Sequence, residues 1–160
     1  MAEQNPFASE YFFWADAGAG RWTAGVEGQE WPNMHKLSTL RNSMPSEHML
    51  IAQMYSGYQR LQRAWAFDVE AFLWSDKHYI AGTTFGVNKA TAPWLANQMH
   101  HLLVHEFIEH YHVVNTEQHA LFLLWMRHAT VFALISGKCP SDVGCRGTYD
   151  DFLTIYDALS

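Results

Sequence analysis

From Leu50 to Phe72 the apolar residues Leu50, Met54, Tyr58, Leu61, Trp65, Val69 and Phe72 recur every three or four positions. That spacing predicts an amphipathic helix over about 46–76 with one continuous apolar stripe. Asn42 and Ser43 offer its cap, and Pro45 stands where a first-turn proline is tolerated. At about 1.5 Å per residue it would be on the order of 45 Å long, the longest helix of the chain. Thr91 and Pro93 open a second periodic run, over about 92–114, and Asn115-Thr116 break it, with Gln118 spaced for a capping box to Asn115. A third run, about 117–136, stops before Gly137 and Pro140. A short helix over about 149–158 follows Thr148, and the Gly- and Thr-bearing stretch 77–91 predicts a connecting loop.

The first 43 residues break this regularity. Phe7, Tyr11, Phe12, Phe13, Trp14, Trp22 and Trp31 are separated by Gly18, Gly20, Gly25 and Gly28, which predicts an irregular aromatic arm with one short helix near 9–15. These aromatics must be buried, and a partner or a second copy is the expected cover. The fold class expected is therefore mainly α, an antiparallel bundle of three long helices over 44–160 with the N-terminal arm 1–43 and a short C-terminal helix.

Length and composition bound the rest. With 160 residues, 49% hydrophobic and 16% charged, the chain suits a single domain with a sizeable core. Its net charge of −6 argues against a nucleic-acid binder, because ten scattered Lys and Arg make no phosphate-binding stripe. No apolar run reaches membrane-spanning length and no signal peptide is apparent at Met1–Pro6, so a cytoplasmic location is expected. Cys139 and Cys145 flank a turn-rich stretch, and two reduced thiols are favoured over a disulfide.

Chemistry concentrates where seven of the ten histidines fall, between His100 and His128. On an α-helical wheel Glu106 and His110 lie among Leu95, Met99, Leu102, Leu103 and Val113, while His101, His105, Glu109 and His112 form an adjoining strip. His128 sits within the apolar face of the third run, and Asp68 within that of the first. A hairpin about Asn115-Thr116 brings His128 within roughly one turn of His105 and Glu106. Buried carboxylates and imidazoles must pair or bind something, and this donor set suits a transition metal: iron first, zinc or manganese as alternatives.

The stretch Glu109-His110-Tyr111-His112 resembles the Glu-x-x-His element of ferritin-like di-iron bundles. The likeness covers four residues, and the second Glu-x-x-His of that family is absent, since Glu117 is followed by Ala120. The function expected is a metal-binding oxidoreductase with a non-haem iron or di-iron centre and a small, largely apolar substrate. The alternative is a non-catalytic accessory subunit that grips a protein partner through its aromatic arm. In either case a homo-oligomer or a subunit of a complex is expected.

Overall fold

A computed structural model describes residues 4–15, 35, 38–39, 42, 49–53, 67–76 and 79–136. They form a mixed α/β arrangement rather than a bundle of three long helices. In chain order the elements are β1 (Tyr11–Ala15), β2 (Met49–Gln53), α1 (Val69–Leu73), β3 (Ile80–Asn88) and α2 (Ala92–His100). The chain continues from α2 as a π-helical segment, His101–His110, then forms α3 (Glu117–Arg127), a 3-10 turn (Ala129–Val131) and β4 (Phe132–Ser136). The strands lie in the order β1-β3-β2-β4, with β3 antiparallel to both neighbours and β4 parallel to β2.

Five expected elements are thereby corrected. Of the long helix expected over 46–76, Met49–Gln53 is the strand β2 and Val69–Leu73 the five-residue α1, while 46–48 and 54–66 lie outside the described residues. A short apolar run such as Met49–Gln53 satisfies a strand as well as a buried helical turn, so periodicity alone could not separate them. The helix expected near 9–15 is β1, and it pairs with β3 of the same chain, Tyr11 opposite Asn88 through Ala15 opposite Thr84. That part of the arm therefore closes on its own sheet. The expected loop 77–91 contains β3, whose Ile80, Thr83, Thr84, Phe85 and Val87 are β-formers. Its glycines serve close approach: a Cβ on Gly86 would stand 2.7 Å from the Phe13 ring, and one on Gly82 2.9 Å from Gln118 Cγ.

The third helix ends at Arg127, not near 136, and its expected last turns are the 3-10 turn and β4. The second helix begins at the expected place, after Thr91 with Pro93 in its first turn, but leaves α geometry at His101 and ends at His110. The break at Asn115-Thr116 stands where the sequence places it, though the capping box does not form: Thr116 is the residue before α3. Asn115 instead ties the hinge to α1, donating from Nδ2 to the Leu73 carbonyl at 2.6 Å while its Oδ1 accepts from Thr116 N. The helix expected at 149–158 and both cysteines lie outside the described residues.

Residues 119–125 of α3 are all buried, so this helix is enclosed on every side, as its nearly continuous apolar sequence requires. Around it pack Phe72 and Leu73 of α1, Ile80 and Val87 of β3, Leu95 of α2, Leu102 and Phe107 of the π segment, and Phe132 of β4. No helix among the described residues is long and apolar enough to cross a membrane.

Candidate functional site

A π helix bonds each N–H five residues back, so residues five apart share a face that an α helix gives to residues four apart. Leu102 and Phe107, five apart, are the two fully buried anchors of the segment. The winding closes with Tyr111 N donating to the Glu106 carbonyl, five residues back, and a wider turn follows in which Val113 N donates to the Phe107 carbonyl, six back. With Leu102 and Phe107 facing inward, the histidines are carried outward. His101, His105, Glu109 and His110 are exposed, and Glu106 is half-buried at the rim.

Glu106 is the most firmly held of these groups. Arg127, the last residue of α3, donates from Nη1 at 2.6 Å and from Nη2 at 2.7 Å, one bond to each carboxylate oxygen. This fork is the strong geometry for an Arg–carboxylate pair. Arg127's hydrogen bonds hold the Glu106 carboxyl below its ordinary value of 4.5; partial burial opposes the shift, and the charges of Arg127, His101 and His110 add to it. The same contact raises Arg127.

A depressed carboxyl stabilises the fold fully above its unfolded value and loses that contribution as pH falls through the folded value. Glu106→Gln is therefore expected to cost about 1 kcal/mol at neutral pH, kept small because Arg127 is 40% exposed. Urea unfolding of parent and variant should converge below pH 4.5. A difference that is unchanged in acid would contradict this.

Beside this pair runs an imidazole–carboxylate array. His105 Nδ1 lies 2.8 Å from Glu109 Oε2, which leaves Nε2 of the same ring uncommitted to that bond. The His101 and His100 rings stand 5.5 Å and 5.7 Å from the His105 ring. His101 Nε2 is 4.0 Å from Glu106 Oε1. His110 turns its ring edge-on to Tyr111, at 4.5 Å.

Comparison with family models, with curated proteins and with solved structures finds no match.

The geometry of the site redistributes the expected set. His101, His105, Glu106, Glu109 and His110 share one segment; Glu106 stands at its rim and His110 on its exposed side instead of in the core, and His101, His105 and Glu109 are exposed beside them. His112 follows the helix end in a left-handed conformation, φ 55°, so Glu109-x-x-His112 is not a pair on one regular helical face. His128 is half-buried just after α3 with its ring edge-on to Trp94 at 5.3 Å, not within the buried core. Asp68 is exposed and caps α1, its Oδ1 accepting from Ala71 N at 2.9 Å. Among the described residues, no three His, Cys, Asp or Glu side chains are arranged to hold a metal ion.

Among the described residues the deeply buried histidine is one that the helical wheel does not single out. His119 is 2% exposed, packs 4.8 Å from the Phe72 ring and lies 3.1 Å (Nδ1) from Thr116 Oγ1. The signal was the Thr116-x-x-His119 spacing at the start of α3, where a hydroxyl at the N-terminus can meet a side chain three residues on.

Proposed function

We propose that this chain binds a divalent transition metal on the exposed face of the π-helical segment, with His101 and His105 as protein ligands and Glu109 orienting His105. The observation that carries the reading is the Glu109–His105–His101 array. A carboxylate on one ring nitrogen fixes the tautomer and leaves the other nitrogen to ligate, the usual outer-shell arrangement of metal-bound histidine. Two imidazoles that bind one metal at about 2.0–2.1 Å in tetrahedral geometry place their ring centres roughly 5 Å apart. The 5.5 Å between His101 and His105 is within a small rotation of that, and both side chains are at least half exposed.

Two imidazoles with water completing the shell suit copper, nickel or zinc ahead of iron. The open positions leave room for water or a small substrate, which is how an oxidoreductase role connects to this face. Calorimetric titration of untagged protein with Cu(II) and Zn(II) tests the proposal. One saturable event is expected, lost in the His101→Ala/His105→Ala double variant and weakened about 10–100-fold by Glu109→Gln. His112→Ala should leave it unchanged. Undiminished binding by the double variant would reject the assignment.

A second reading, a partner-binding subunit, draws on the exposed aromatics Phe7, Trp14 and Trp74. Self-association in sedimentation, without any metal binding, would favour it.

A further inference from the structure

We propose that the β3–α2 junction, at the other end of the continuous helix that carries the histidine face, is a binding site for the oxyanion of a phosphate-bearing small molecule. Its donors are the Asn88 carboxamide and the N–H groups of Ala92 and Trp94. The junction runs from the carboxyl end of a strand into the amino end of a helix, Asn88-Lys89-Ala90-Thr91 before Ala92. First-turn N–H groups there point out of the helix and carry its positive dipole end. Leu95 N is already given to the Thr91 carbonyl, at 2.9 Å, and Pro93 has no N–H, so Ala92 and Trp94 supply the outward donors. The first turn contains no acidic residue to neutralise that end.

The second, independent observation is Asn88. It is 5% exposed, and its Oδ1 accepts from Thr91 N at 2.7 Å, which holds the carboxamide at the start of α2 and assigns the other atom as a donor. That donor, Nδ2, is buried and has no hydrogen-bond partner among the described residues. A closed-in amide N–H is costly to leave unmatched, and an acceptor brought by a ligand would satisfy it. Pro93 is exposed and Ala92 half-buried, while Nδ2 itself is enclosed, so the ligand reaches it by parting the contacts that cover it. Lys89 adds an exposed positive charge. Glu10, whose carbonyl accepts Lys89 N at 2.8 Å, is the acid at the adjoining end of β1 and limits the field.

The test is a titration of the full chain with inorganic phosphate, followed by amide chemical shifts. Saturable shifts at Ala92, Trp94 and the Asn88 side-chain amide are expected. Asn88→Asp keeps the acceptor for Thr91 N but replaces the donor with a negative oxygen, so it should abolish binding while the remaining spectrum is preserved. Lys89→Glu, on the surface, should weaken binding and serves if the first variant does not fold. A nucleoside monophosphate titrated in parallel separates the sources. Equal affinity assigns the free oxyanion, and tighter binding of the ester assigns a phosphorylated metabolite. Absence of saturable shifts at Ala92 and Trp94 with both compounds, or parent-like binding by Asn88→Asp or Lys89→Glu, would overturn the proposal.

Discussion

Phe122→Ala is expected to cost about 3–5 kcal/mol, a large share of the roughly 5–15 kcal/mol that holds a typical domain folded. Phe122 is fully buried in α3 and joins the parts of the fold that meet there. Its ring lies 5.1 Å from Phe72 of α1, 4.8 Å from Tyr79 just before β3, 5.8 Å from Trp125 on its own helix, and 5.9 Å from Phe67. Alanine removes the transfer energy of the ring and leaves a cavity that four aromatic neighbours can only partly fill. For a chain of this length the melting temperature should fall by roughly 6–20 °C. Calorimetry with urea unfolding measures it, and a loss below about 1 kcal/mol would mean α3 is not the centre of the core.

Gly86→Ala should be the next most damaging change, about 1–3 kcal/mol, despite adding a single methyl group. Gly86 lies in the middle of β3 opposite Phe13 of β1, and the new Cβ would meet ring atoms of Phe13 at 2.7 and 2.9 Å. Both are ring atoms of a side chain seated on the sheet, so relief requires moving the ring or shifting β1. The companion change Phe13→Ala opens the space, and the double variant should be more stable than the sum of the two single losses predicts. Strict additivity would show that the Phe13 ring does not rest on Gly86.

Residues whose signal is local were legible in the sequence. Pro93 and Thr91 mark the start of α2, Asn115-Thr116 mark the hinge, and Leu121, Leu124 and Trp125 are buried as their spacing requires. Strands were not legible, because their evidence lies in partners far along the chain. Ile80–Asn88 carries two glycines that read as loop residues until Phe13 and Gln118 are placed over them. Leu50 and Phe72 fitted one helical stripe by spacing alone, yet belong to a strand and near the end of a five-residue helix. The histidine cluster was found, but its facing was not. The wheel assumed α geometry, and the change of winding at His101 moved Glu106 and His110 out of the apolar face. Arg127 had no sequence signal as a partner for Glu106, since the two are 21 residues apart.

The change of winding also gives this segment a surplus. Its two buried anchors, Leu102 and Phe107, are spaced so that an ordinary α helix would need one residue fewer between them. The extra residue is absorbed on the solvent side, within the stretch that carries His105 and Glu106. The stretch Ala92–His110 can thus be regarded as one helix with a one-residue insertion accommodated by overwide turns rather than by a loop. The inward anchors fix where the segment sits, while the outward residues hold a register that no α helix with the same anchors could give them. Shortening this stretch by one residue could leave the core contacts in place and still dismantle the arrangement on the surface.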